Sequence, residues 1–489
     1  MRRRKRTEER KVQSMKSRRT RVMALLMTCT LVAGMLVGCD SKAEQKVEIE
    51  PMEPEESYAV SFDLIGGKDV MPIGGFYGPY EPKESMNGNA LPNYLTDEVY
   101  QDLADAGINL IAQAYNGGSE ENIQKSLDLG EKYGIGILIP NLISQEDMEQ
   151  KQTVDFAAEL AQYSRHSAYC GVHLVDEPGC MSYYSEGAGG GLMEDWAERS
   201  TLLNQDLDTF SYTNLLRCYD SSQKANYERY LQQYFETMAP EVLTYDYYAW
   251  DWLPYGASQL YFWNLAICRE YAQKYQVPLW TYHQAGGNWY DIDGGFNDTY
   301  ENYRPSEGQF NWTVNTNLAF GVQGITYFTL IQPMIYSVHD TKDGQPNFEQ
   351  MGLLGGVGNK NRWWYYAQNL NKQIAAIDDV LMNSVNKGIL ASGSAKKACA
   401  DTRDALIEGT AWRELASVDG DTLVGCFNYQ GKTALYVVNF DYEYAQKINL
   451  TFQDKYNVKV VQSAEESYFN TKQMTLDLDA GEGALIVFE

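Results

Sequence analysis

The sequence predicts a (β/α)8 TIM barrel followed by a small C-terminal antiparallel β-sandwich. Between residues 59 and 382, apolar runs of strand length alternate with helical patterns, and eight such units can be counted. Alternating strands and helices imply a parallel sheet, and eight units fit a closed barrel of about 250 residues with insertions. From about Asn383 the strands follow one another without helices, which is typical of an antiparallel domain.

Each strand is an apolar run bounded by turn residues or by a helix. The eight predicted strands are residues 70–77, 108–113, 135–142, 169–176, 212–216, 242–248, 277–283 and 324–329. Two helix starts carry capping signals, because Thr96 and Ser119 each precede a pair of acids. Further helices are predicted at 196–207, 227–238, 261–275, 310–320 and 361–381.

An open, doubly wound sheet is the alternative to a barrel. Such a sheet usually has a glycine-rich phosphate loop after its first strand, and Gly74-Gly75-Phe76-Tyr77 does not match one. The barrel is therefore the favoured fold for residues 59–382. Residues 383–489 form the predicted β-sandwich, with clear strands at 433–440, 447–452 and 483–488.

The N-terminus is typical of an exported protein. Residues 1–22 carry eleven Lys or Arg, and the apolar stretch that follows is too short to span a bilayer, which needs ~20 residues. The sequence Leu36-Val37-Gly38-Cys39 resembles a bacterial lipobox, in which the cysteine is lipidated. We therefore predict a signal peptide at 1–38, a lipid anchor on Cys39 at the cell surface, and a flexible tether at 39–58. An ordinary signal peptide with an incidental cysteine is the alternative.

The composition argues against binding to nucleic acid or anionic lipid. The formal net charge is −26, and both of those partners require clustered Lys and Arg. Membrane contact is therefore expected only through the anchor. The chain has 37 Tyr and 10 Trp, which suits stacking on sugar rings, although aromatic packing in the core would also use them.

No cofactor or metal site is predicted. The four histidines, at 166, 173, 283 and 339, lack metal-ligand spacing, and no GxSxG motif is present. The six cysteines after Cys39 show no short CxxC spacing and suggest buried thiols, with a Cys170–Cys180 disulfide left open.

Acids and aromatic residues remain at the carboxyl ends of the predicted strands, where barrel enzymes place their catalytic groups. Asp176 and Glu177 end strand four, and Asp246 ends strand six. Asp176 could instead be a structural turn residue, and Asp246 could pair with Arg217 or Arg269. The candidate substrate-binding residues at the same rim are Tyr77, Asn116, Tyr247, Trp250, Trp280, Tyr282, His283, Gln284 and Trp289.

Glycosidic bond cleavage needs two carboxyl groups, one protonated and one ionised, and aromatic walls favour the protonated form by excluding water. Four segments together resemble the bacterial barrel glycoside hydrolase superfamily: Gly107 to Leu110, Val172 to Pro178, Thr244 to Tyr248 and Ala319 to Phe328. The resemblance implies hydrolysis of an extracellular carbohydrate, with Glu177 as general acid/base.

One departure from that superfamily concerns the second carboxylate. The large retaining clan has a nucleophilic Glu at the end of strand seven, and here that strand ends in His283-Gln284. Three explanations are open: Asp246 is the second carboxylate, Asp176 orients an attacking N-acetyl group of the substrate, or the protein binds glycan without cleaving it. A retaining pair would be ~5–5.5 Å apart and an inverting pair ~6.5–9.5 Å. A solute-binding lipoprotein is disfavoured because the helix-poor tail does not supply a second α/β lobe.

Overall fold

The computed structural model describes residues 48–81, 92–112, 119–142, 155–179, 191–205, 207–250, 258–286, 305–331, 341–342, 345–346, 352–356 and 358–489. Residues Ile49–Glu489 form one compact unit. No helix in these ranges is both long and apolar enough to cross a membrane.

A closed parallel barrel of eight strands forms the first part of this unit, as the sequence predicted. β1 pairs with β8 as well as with β2, so the sheet has no open edge and the doubly wound alternative is wrong. The strands are β1 Ile73–Phe76, β2 Leu110–Ala112, β3 Gly136–Pro140, β4 Tyr169–Asp176, β5 Ser211–Leu215, β6 Leu243–Asp246, β7 Leu279–Gln284 and β8 Ile325–Phe328.

Helices surround the barrel and alternate with its strands. Thr96 and Ser119 cap the first two helices through their side-chain oxygens, which confirms both predicted starts. The helices are α1 Asp97–Asp105, α2 Glu120–Tyr133, α3 Phe156–Leu160, α4 Met193–Gln205, α5 Lys224–Met238, α6 Gln259–Tyr275, α7 Glu307–Ala319, α8 Arg362–Ala375 and α9 Asp378–Met382. Two short strands, β9 Thr341–Lys342 and β10 Gln345–Pro346, pair with each other after β8.

The amino-terminal end of the barrel is closed by packed rings. Phe62 lies 5.3 Å from Phe210 and 6.3 Å from Trp280, measured between ring centroids. Together with Ile65, it forms a buried plug beneath the strands. Packed side chains therefore close the amino-terminal end of the barrel, and its open mouth is at the carboxyl ends of the strands, as in other barrels of this type.

An antiparallel β-domain follows Met382. Its strands are β11 Ser384–Ala391, β12 Leu415–Val418, β13 Thr422–Tyr429, β14 Lys432–Asn439, β15 Gln446–Gln462, β16 Glu465–Leu478 and β17 Gly483–Phe488, with the short helix α10 Gly393–Ala398 after β11. β15 is long enough for its first half to pair with β12 and its second half with β17. The strands enclose a separate apolar core, as a β-sandwich requires.

The segment at 49–58, part of the predicted flexible tether, contacts the β-domain. Arg413 Nη2 donates to the carbonyl oxygen of Glu50 at 2.7 Å, and Asn428 Nδ2 donates to that of Glu53 at 2.7 Å. These bonds fix the segment against the β-domain. The backbone of this part of the tether thus satisfies two of its carbonyl oxygens on the β-domain, and the tether at 39–58 stays a prediction.

The described cysteines are all free: Cys170, Cys218, Cys268, Cys399 and Cys426. Cys170, one half of the disulfide with Cys180 that the sequence left open, is thus a free thiol, and Cys180 lies outside the described residues.

Candidate active site

Three acids meet at the mouth of the barrel. Asp176 is the last residue of β4 and Asp246 is the last residue of β6, while Glu177 follows directly after β4. Glu177 has a left-handed backbone, with φ at 46°, and its N–H donates to the carbonyl oxygen of Asn214 at 2.8 Å. Positive φ is uncommon for a residue with a side chain, and such conformations cluster at functional sites. All three residues keep some exposure at the mouth, although their carboxyl groups are largely withdrawn from water.

Asn214 on β5 joins two of the acids. Its Nδ2 donates to Asp176 Oδ1 at 3.1 Å and, more weakly, to Asp246 Oδ1 at 3.4 Å. Its Oδ1 accepts from Thr244 Oγ1 at 3.3 Å, which fixes the orientation of the amide. Sequence reasoning missed Asn214, although its place two residues after Tyr212 on one strand puts both on the inward face.

Glu177 is held in its protonated form and shares a hydrogen bond with Asp246. The pKa of Glu177 is raised to about 10, chiefly by withdrawal from bulk water and also by the charges of Asp246 and Asp176, against the opposing charge of Arg217. Burial also raises the pKa of Asp246, but Arg217 and the bond from Glu177 lower it. At neutral pH Glu177 is therefore protonated and donates this hydrogen bond, and Asp246 accepts it.

Asp176 titrates near neutral pH. Burial raises its pKa to about 7, the charge of Asp246 acts in the same direction, and the bond from Asn214 opposes the shift. The charge of Asp176 is felt by Tyr77 and Tyr282, whose hydroxyl pKa values it helps to raise.

Arg217 supplies the positive charge of the site. Its guanidinium carbon lies 4.6 Å from the ring centroid of Tyr247 and 4.9 Å from that of Tyr219. Of the two arginines considered as partners of Asp246, Arg217 is the one whose charge acts on it. Arg269 is elsewhere, with its Nε donating to Asn386 Oδ1 at 2.7 Å.

A wall of aromatic rings borders the acids. Phe328, at the end of β8, lies 5.8 Å from Tyr77 and 5.5 Å from Tyr248, measured between ring centroids. These three side chains are partly exposed, so their rings are accessible from the mouth. Phe328 and Tyr248 were not among the predicted binding residues; their positions at the carboxyl ends of β8 and β6 could have indicated them.

Two predicted tryptophans are packed in the core instead of at the rim. Trp280 is the second residue of β7 and packs against Phe62 and Tyr212, at the closed end of the barrel. Trp250 donates its Nε1 hydrogen to Thr313 Oγ1 at 2.9 Å and is 1% exposed. Neither side chain can stack on a sugar in this structure, so these two expectations are corrected.

The two histidines of the barrel strands are buried and neutral. His283 alternates with the inward-facing Tyr282, so it points outwards towards the helices, where its Nε2 lies 3.0 Å from Thr281 Oγ1. Burial lowers the pKa of His283 to about 3 and that of His173 to about 4. The expectation that His283 bonds a sugar hydroxyl is therefore corrected.

The remaining predicted residues divide into three groups. Tyr77, Tyr247 and Gln284 are at the mouth, whereas Tyr282 lies just below it and accepts a hydrogen bond from Tyr212 at 3.0 Å. Asn116, Trp289 and the lipidation candidate Cys39 lie outside the described residues. Among the described residues, no group of three or more His, Cys, Asp or Glu is arranged to hold a metal ion.

No protein-family model and no curated protein matches this sequence. Similar solved structures include a family 39 glycoside hydrolase from Bacteroides cellulosilyticus, at 11% identity and a TM-score of 0.47 over 86% of this chain and 82% of that one. An endo-β-1,4-mannanase from Thermotoga petrophila is similar at 15% identity and a TM-score of 0.40, over 85% and 92% of the two chains. A GH99 endo-α-mannosidase from Bacteroides thetaiotaomicron is similar at 11% identity and 0.40, over 61% and 95%. At such low identities and scores, the chemistry has to come from the site itself.

Proposed function

We propose that this protein is a glycoside hydrolase that cleaves an extracellular carbohydrate, with Glu177 as the general acid. The observation that carries the proposal is that Glu177, which burial keeps protonated, is hydrogen-bonded to Asp246 beside an aromatic wall at the barrel mouth. Glycosidic bond cleavage needs two carboxyl groups, one of which is protonated. No cofactor is needed for it.

Glu177 would protonate the leaving-group oxygen as the glycosidic bond breaks. Its raised pKa keeps the proton in place at neutral pH until the substrate oxygen accepts it. Asp246, whose ionisation the charge of Arg217 favours, would stabilise the positive charge that develops on the sugar ring. Asp176, fixed by Asn214, would orient the substrate on the β4 side.

Whether configuration is retained or inverted depends on how Asp246 acts in the second step. The anomeric form of the first product, observed by proton NMR, distinguishes the two outcomes.

A glycan-binding protein without hydrolytic activity is the second candidate. It is favoured by Gln284, since β7 ends in an amide where the retaining clan has a carboxylate. The two candidates differ in whether a bond is cleaved.

The replacement Glu177→Gln separates them. It removes the ionisable proton and preserves the shape of the side chain, so hydrolysis of a screened aryl glycoside or polysaccharide should fall by about 10²–10⁴-fold while binding persists. Glu121→Gln, on the exposed surface of α2, is the matched control and should keep full activity. Wild-type protein that binds glycans across a broad panel and cleaves none would favour the second candidate.

A further inference from the structure

Gln284, the last residue of β7, ends in a buried oxygen without a hydrogen-bond partner. Its Nε2 donates to the carbonyl oxygen of Gly286 at 3.0 Å, so the backbone fixes which end of the amide is which. The other end, Oε1, is buried and accepts no hydrogen bond. The side chain as a whole is only 8% exposed. A buried acceptor of this kind destabilises the free protein unless something else bonds to it.

The position of Gln284 places this acceptor in the mouth of the barrel. Trp280 and Tyr282 lie in the cluster that fills the barrel, so Gln284, on the same face of β7, also points inwards. Tyr282 is level with Asp246, and Gln284 is one inward position nearer the opening. At that height it is level with Phe328 of the aromatic wall.

The charges nearby restrict what could bond there. An amide oxygen accepts from O–H or N–H groups and gains nothing from a carboxylate. Asp176 and Asp246 are already close together, and Arg217 is the cation that acts on the Glu177–Asp246 pair. A further negatively charged group brought into this mouth would be repelled by these acids.

We propose that Gln284 Oε1 accepts a hydrogen bond from a hydroxyl or amide N–H of a neutral sugar bound over the acids, and thereby determines specificity. The proposal rests on the proposed carbohydrate site and names its substrate class as neutral glycosides rather than uronates. Strand β7 then supplies a substrate-binding residue at the position where the retaining clan has its nucleophile.

The replacement Gln284→Met tests this assignment. Met has a similar length and no strong acceptor, so affinity for the neutral glycan that the wild-type protein binds should fall by about 10–100-fold in calorimetric titration. The melting temperature should stay level or rise, because the variant no longer buries an unbonded oxygen. A deoxy analogue that lacks the bonded hydroxyl should bind wild type and Gln284→Met equally.

Trp312→Phe is the matched control. Trp312 also has a buried nitrogen without a partner, and it packs among Trp250 and Phe440. This change should lower the melting temperature and leave glycan affinity unchanged.

The outcomes distinguish a failure of the Gln284 proposal from a failure of the proposed hydrolase. A Gln284→Met protein that melts earlier and binds as wild type does would show a structural role and overturn the proposal, as would tighter binding of uronates than of neutral sugars. If Gln284→Met weakens glycan binding as expected but the wild-type protein hydrolyses nothing, the proposed role of Gln284 is upheld and only the proposed hydrolase is refuted. A wild-type protein that binds no glycan would overturn both.

Discussion

At the scale of single residues, the site depends on how protons are distributed among three acids. Glu177 keeps its proton because burial and two neighbouring charges act in the same direction, whereas Arg217 favours ionisation of Asp246. Asp176 lies between these extremes, with a pKa raised to about 7. Residues of one chemical type thus acquire different roles from their surroundings.

This distribution predicts a bell-shaped pH profile for kcat/KM. Activity should rise as pH passes about 7, where Asp176 ionises, and fall towards about 10, where Glu177 loses its proton. Because the groups are coupled, the two limbs belong to the cluster as a whole.

Asp176→Asn should remove the acidic limb near pH 7 and keep the alkaline one, as measured from initial rates between pH 5 and 11. The control is Asp195→Asn, in the first turn of α4, which should reproduce the wild-type profile. A limb near 7 that survives Asp176→Asn would assign that ionisation to another group.

At the scale of elements, alternation along each strand decides which side chains reach the mouth. Tyr282 and Gln284 share the inward face of β7, and His283 between them does not. Height matters as much as face, since Trp280 is also inward and lies at the closed end. A strand residue is therefore a site candidate only if its side chain faces the inside of the barrel and lies near the carboxyl end of the strand.

The plug beneath the strands predicts a separation of stability from activity. Phe62→Ala would leave a cavity between Phe210 and Trp280, at a cost of about 3 kcal/mol in the free energy of unfolding. The acids lie at the opposite end, so kcat/KM should change less than threefold. Urea denaturation and initial rates measure the two effects, and Phe62→Leu should show a smaller loss of stability. An equally large loss of activity would mean that the two ends of the barrel are coupled.

At the scale of the whole molecule, the barrel and the β-domain share an interface. Asn315 on α7 donates to the carbonyl oxygen of Gly481 at 2.8 Å and accepts from the Tyr436 hydroxyl at 2.7 Å. Helix α7 is buried on nearly all sides because it lies between the barrel and this domain. The β-domain therefore supports the barrel from outside.

We propose, from the lipobox alone, that the protein is anchored at the cell surface through Cys39. Wild-type protein should partition with membranes and incorporate labelled fatty acid, and Cys39→Ser should do neither. Cys170→Ser is the control, because Cys170 is free and lies within the barrel, and it should partition as wild type does. Membrane retention of Cys39→Ser without label would refute the lipid anchor.

The sequence by itself determined the barrel, the order of its strands and the position of Glu177. Apolar runs, helix caps and turn residues act locally, so each strand and helix can be recognised from its own segment of the sequence. Only the tertiary structure decided that Glu177 touches Asp246, that Asn214 and Arg217 belong to the site, and that Trp250, Trp280 and His283 do not. Those facts depend on which residues of neighbouring strands are level with one another and on which way each side chain faces. Strand register and stagger set both, and they arise from pairing between segments distant in the chain.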